Sequence, residues 1–170
     1  MIDLVEILAK HKLWIDSFGD EGTRANLEGA NLKGTNLADA NLKRVNLAYA
    51  NLEGANLYSA SLDSANLERA NLRGACLYRG DIDYANLERA NLERVNLNRA
   101  SLTKANLKRT NLSHANLEDA YLERTNLKQA NLEGANLKGA NLERANLKGA
   151  NLKRANLFHT NFYGTNMDFF

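Results

Sequence analysis

The stretch ANLEGANLKGANLERANLKG, residues 130–149, decides how this chain folds. It is four five-residue units in a row, each a small residue, Asn, Leu and two variable positions. The same beat runs from Ala25 to Phe169, 29 units in all. The Leu position departs from type only at Ile82, Phe162 and Met167. The small position is Ala except at Val45, Val95, Gly80 and five threonines (Thr35, Thr110, Thr125, Thr160, Thr165). A period of five suits neither regular element. On an α-helix five residues advance about 500°, so the leucines would fan around every face. On a straight strand an odd spacing would send them alternately to both sides. One arrangement keeps every Leu inside: three residues run extended, with Ala and Leu inward and Asn outward, and the next two turn a corner. Eight units carry Gly at the last position, as a corner needing positive φ favours. If each corner is near 90°, four units close one coil of about 20 residues, and coils stacked at about 4.8 Å form a rod on the order of 35 Å long.

These units resemble the pentapeptide-repeat family, whose pattern is A-(D/N)-L-x-x. The resemblance covers residues 25–169 and implies an all-β fold, a right-handed quadrilateral parallel β-helix of about seven coils. The chain thus divides into an N-terminal helix and capping segment, residues 1–24, and a β-helix with an aromatic C-terminal end, residues 25–170. IDLVEILAKHK reads as a short capping helix, with Asp3 as N-cap and Glu6 three residues on. Its apolar side (Leu4, Val5, Ile7, Leu8), helped by Leu13, Trp14, Ile15 and Phe18, is expected to plug the first coil. At the other end Phe158, Phe162, Tyr163, Phe169 and Phe170 either cap their own coil or form a dimer interface, as in some members of the family.

Composition narrows the function. The chain has 170 residues, 22 basic and 20 acidic side chains, one Cys and no Pro. The repeat itself is balanced at +4 with the signs interspersed, which lacks the basic stripe of a nucleic-acid binder. No apolar run is long enough for a signal peptide or membrane span, and a lone Cys76 makes no internal disulfide. A cytoplasmic protein without contact to membrane or nucleic acid is expected. An interior filled with Leu and Ala leaves no cavity for a substrate or cofactor. Neither the scattered His11, His114 and His159 nor any Ser–His–acid grouping suggests catalysis or metal binding, so neither enzyme activity nor a cofactor is expected.

With a 20-residue coil, residues 20 apart stack in columns. Asn fills 24 of the 29 outward positions, and four of the five exceptions (Ser61, Asp81, Ser101, Tyr121) share one column, the fifth being Cys76 in another. The adjoining corner positions add Asp63, Ser64, Asp83, Tyr84, Thr103 and Lys104. Ser61, Asp63, Asp81, Asp83, Tyr84, Ser101 and Tyr121 are therefore the candidate face for a protein partner, suited to a basic peptide with a tyrosine anchor, or to a cation. The opposing reading is a tolerated break in an Asn ladder, with Lys43, Arg44, Lys104 and Arg124 neutralising the carboxylates and Gly80 with Ile82 a compensated change in the core. On another face the position after Leu passes from Glu28, Glu68 and Glu88 to Lys108, Lys128 and Lys148, and Tyr58 and Tyr78 should stack. The function read from these features is a protein-interaction scaffold. The alternative that the family suggests, a DNA-mimicking inhibitor or protector of gyrase, suits an acidic rod and is disfavoured by the charge.

Overall fold

The computed structural model describes residues 3–168. The chain enters through α1, Leu4–Asp16, whose first turn is capped by the Asp3 carboxylate accepting the Glu6 backbone N–H at 3.0 Å. The helix runs a full turn beyond the expected segment. It ends where Gly19 donates to the Trp14 carbonyl and Phe18 to the Ile15 carbonyl, with Phe18 itself at φ 57°. This is the reverse-turn stop usually built on glycine, here made with a phenylalanine.

The docked stripe of α1 is Leu4, Ile7, Leu8 and His11, the i, i+3, i+4, i+7 spacing of one helix face. Leu4, Ile7 and Leu8 pack against the core, as expected. Val5, Leu13 and Phe18 do not join the plug: Val5 is 81% exposed and Phe18 98%. Val5 and Leu13 lie off the stripe, and the helix stop turns Phe18 outward.

From Asn26 onward each outward position bridges in parallel to the residue 20 further on, from Asn26–Asn46 to Asn146–Asn166. A coil is therefore four units with four corners. Three backbone bonds tie each unit to the next coil. In the first coil the Leu27 N–H donates to the Asn46 carbonyl, the Gly29 N–H to the Ala48 carbonyl, and the Asn46 N–H to the Ala25 carbonyl. Each corner closes on itself, as where the Ala30 N–H donates to the Leu27 carbonyl at 3.0 Å. The last position of the corner has positive φ in every unit from Gly29 to Gly164, although twenty of these residues are not glycine and include Arg69, Tyr84 and Lys104. Left-handed φ costs an L-residue roughly 1–2 kcal/mol. The coil imposes it because the corner must both close and hand its N–H to the next coil.

Inside, Leu and Ala are buried almost without exception between Ala25 and Leu147. Each Leu stabilises by about 1.5–3 kcal/mol on burial. Thr110 and Thr125 enter the Ala column by spending their hydroxyls on the Leu107 and Leu102 carbonyls, at 2.6 and 2.8 Å. Gly80 and Ile82 are matched: a Cβ at Gly80 would lie 3.2 Å from Ile82 Cδ1, so the isoleucine methyl occupies the space that alanine takes in the other coils.

The two ends differ. Leu27, Leu32, Leu37 and Leu42 of the first coil are all buried. In the last coil Leu152, Phe162 and Met167 are only half-buried and Leu157 is exposed. Among the described residues nothing accepts the Leu152, Leu157, Phe162 and Met167 N–H groups, which point to where a further coil would be.

Candidate interaction faces

Asn owes its place in the outward columns to two hydrogen bonds. Its side-chain carbonyl accepts the backbone N–H two residues on (Glu28 to Asn26, 3.3 Å) and the side-chain N–H of the Asn one coil up (Asn46 to Asn26, 2.9 Å). Repeated along a column, this gives an amide ladder that fixes each corner and ties neighbouring coils together.

On the fourth face, reached by residues 41, 61, 81, 101, 121, 141 and 161, the ladder is rewired. Ser61, Asp81, Ser101 and Tyr121 stand one above another, as expected. The Ser61 hydroxyl donates to Asp81 at 3.3 Å. Asp83 reaches up one coil and accepts both the Ser101 hydroxyl (2.6 Å) and the Thr103 backbone N–H (2.7 Å). In an ordinary unit an Asn at position 101 would take that N–H. Asp83 therefore does structural work for the next coil, which sequence spacing alone had not revealed.

Asp81 also accepts the Asp83 backbone N–H at 3.4 Å and Asp63 the Ser64 hydroxyl at 3.2 Å, so these carboxylates are partly engaged, while the rings of Tyr84 and Tyr121 are open. Tyr121 is 54% exposed and Tyr84 similarly so. The expected neutralising pairs do not form: among the described residues no Lys or Arg lies within ion-pair distance of Asp63, Asp81 or Asp83. Lys104 goes instead to Tyr84, its ammonium 3.0 Å from the phenol oxygen and 4.9 Å from the ring centre. The carboxylates do not converge as ligands, and no group of three or more His, Cys, Asp or Glu among the described residues could hold a metal ion. The cation reading of this face thus finds no geometry.

Beside these residues lies a recess of about 260 Å³ that the sequence did not disclose. Trp14, Ile15 and Phe18 of the N-terminal segment form one wall, and Lys43, Arg44 and Asp63 of the fourth face the other. It exists only because α1 docks with this side toward the fourth face.

Elsewhere the surface is ordinary. Tyr58 and Tyr78 stack at 5.7 Å, as expected, and Cys76 is a half-buried free thiol. On the face that carries Glu28, Glu68, Glu88, Lys108, Lys128 and Lys148, the change of sign is bridged by Glu88 and Lys108 at 3.2 Å, and the lysine holds the Glu88 carboxyl below the usual carboxylate range. Lys138 does the same to Glu118 across 2.9 Å and is itself raised by the pairing. At the C-terminal end Phe158 and Tyr163 are exposed, Tyr163 at 69%, while Phe162 packs against the core. Phe169 and Phe170 lie outside the described residues.

The family model described as Pentapeptide repeats matches the chain in eight copies spanning residues 23–168. The chain belongs to the pentapeptide-repeat family. Two solved structures match most of its length. HetL, a pentapeptide-repeat protein involved in heterocyst differentiation regulation from the cyanobacterium Nostoc sp. strain PCC 7120, is 27% identical. The match covers 97% of each chain, with a TM-score of 0.49. A trypsin-treated variant of QnrB1, a plasmid-mediated fluoroquinolone resistance protein, is 20% identical over 84% of this chain and 77% of its own, with a TM-score of 0.61. At that identity the likeness to QnrB1 is one of fold. No curated protein matches the sequence. No helix among the described residues of this pentapeptide-repeat chain is long and apolar enough to cross a membrane.

Proposed function

We propose that this pentapeptide-repeat chain is a non-enzymatic scaffold, a right-handed four-sided β-helix that holds another protein against its fourth face. One observation carries the reading. The departures from the Asn ladder gather on a single face, where among the described residues no Lys or Arg pairs with Asp63 or Asp81 and the rings of Tyr84 and Tyr121 are exposed. A partner segment with basic side chains would find two separate carboxylates and two exposed aromatic rings there. Occupation of gyrase as a DNA mimic has no comparable support. The outward columns carry neutral Asn at 24 of 29 positions, and the repeat is net basic.

The test is capture of a partner by chemical cross-linking in a lysate. Wild-type chain is compared with a variant carrying Ser61→Asn, Asp81→Asn, Ser101→Asn and Tyr121→Asn. Its fold is first checked by an unchanged β-type circular dichroism spectrum. A protein held by the wild type and lost by the variant supports the reading; identical captures refute it.

The C-terminal end supports a second interaction, with another copy of the chain. Its last inward ring (Leu152, Leu157, Phe162 and Met167), N–H donors that find no acceptor among the described residues, and exposed Phe158 and Tyr163 form an apolar edge of the kind that pairs. Sedimentation at increasing concentration should show a dimer, and Phe158→Asp with Tyr163→Asp should return it to monomer. A wild type that stays monomeric at high concentration removes this interaction from the account.

A further inference from the structure

We propose that His11 makes α1 a pH-sensitive latch over the N-terminal end of the rod. The imidazole is fully buried (0% exposed) beneath the helix. Its Nδ1 accepts the Ala25 backbone N–H at 3.1 Å, and its ring stacks on Trp14 with centroids 5.8 Å apart. A ring whose Nδ1 accepts is neutral and carries its proton on Nε2. That Nε2 has no hydrogen-bond partner among the described residues.

A second proton has nowhere to go in the docked state. It would sit on Nδ1 and point N–H against the Ala25 N–H. It would also place a charge in an apolar site without a counter-ion. The charged groups around the ring agree. Lys10, its neighbour on α1, is tied to Glu6 at 2.7 Å. Arg24, on the segment leading into the first coil, opposes a further positive charge. From the first coil the Lys43 backbone carbonyl favours the proton, and no carboxylate does. Burial, the largest influence, and Arg24 outweigh that carbonyl and hold the imidazole below its ordinary value.

The consequence follows from linkage. With the docked value depressed, docking is fully supported above the free-histidine value near 6.5. As pH falls below it, docking weakens by about tenfold per unit until the docked value is passed. Release would take Leu4, Ile7 and Leu8 off the core and uncover Leu27, Leu32, Leu37 and Leu42. The coils themselves, held by their own ladders, would stay wound.

Trp14 is the single tryptophan, so its fluorescence reports on the latch directly. Between pH 7.5 and 5 the emission should change in one titration centred below 6.5. Amide exchange, corrected for its intrinsic pH dependence, should show Leu4–Asp16 losing protection while Leu87 and Leu107 in the middle coils keep theirs. His11→Asn retains an acceptor for the Ala25 N–H but cannot titrate, and should flatten the profile. Arg24→Gln relieves part of the depression in the docked state, so protonation costs docking less, and the release midpoint should move to lower pH. Unchanged emission and protection down to pH 5 would overturn the proposal. So would a His11→Asn profile that follows the wild type, or, if that variant is already undocked at pH 7.5, an Arg24→Gln midpoint that does not move.

Discussion

Gly80→Ala puts a methyl group into space that Ile82 already fills. The added Cβ would lie 3.2 Å from Ile82 Cδ1, 3.1 Å from the Leu77 carbonyl oxygen and 3.5 Å from that of Ala60. Carbon atoms prefer about 3.5–4.0 Å, and overpacking a tight core costs about 1–3 kcal/mol. Replacing Gly also stiffens the unfolded chain, which returns about 0.4–1 kcal/mol. The single variant should therefore lose about 1 kcal/mol. Ile82→Leu withdraws the methyl and leaves a hole at Gly80, for a loss of about 1 kcal/mol. The double variant recreates the Ala60–Leu62 and Ala100–Leu102 pairs of the coils on either side. It should exceed the wild type by about 1 kcal/mol, so the coupling between the two positions is about 2–3 kcal/mol. Urea midpoints read this out: at a slope of about 2 kcal/mol per molar, each kcal/mol moves the midpoint by about 0.5 M. Effects that add to within about 0.5 kcal/mol would refute the compensation. The core half of the Gly80–Tyr84 irregularity would then be unexplained by packing.

Three further outcomes are expected. Asp83→Ala strips the acceptor from the Ser101 hydroxyl and the Thr103 N–H and should cost about 1–3 kcal/mol, with Ser101→Asn recovering part of it by supplying the usual ladder acceptor; a wild-type melting temperature for Asp83→Ala would count against the rewired ladder. Gly29→Ala meets nothing within 4 Å at its new Cβ, so the loss should be that of positive φ alone, about 1–2 kcal/mol by urea unfolding; a loss well above this would mean that the corner is tighter than its geometry. The Glu118 carboxyl, held low by Lys138, adds stability above the ordinary carboxylate value and loses it as pH falls through its folded value, so Lys138→Gln should return its NMR titration toward that ordinary value, and an unmoved titration would dismiss the pair.

The period of five made the coil legible because it states the same geometric demand 29 times. The corners were only partly legible. Glycine marks eight of them, yet Arg69, Tyr84 and Lys104 take the same φ because the closing bonds leave no alternative. The columns of the fourth face could be read by counting in twenties. The task of Asp83 could not, since it depends on a side chain reaching into the next coil. In the sequence His11 counts only as one of three scattered histidines that make no ligand or catalytic group. The spacing of Leu4, Ile7, Leu8 and His11 on one helical stripe was the signal that places it inside. Its partner, the Ala25 N–H, lies 14 residues away and is joined to it only by docking.

The fourth face can be tested where it stands. A photo-reactive phenylalanine derivative at position 121 keeps the exposed ring. The same residue at position 131, in place of Asn131 and two corners further round the coil, looks out from the opposite face. Irradiation in cell lysate should join one protein to the chain labelled at 121 and not to the chain labelled at 131. Equal cross-linking at both positions, or none at 121, would contradict a partner-binding fourth face.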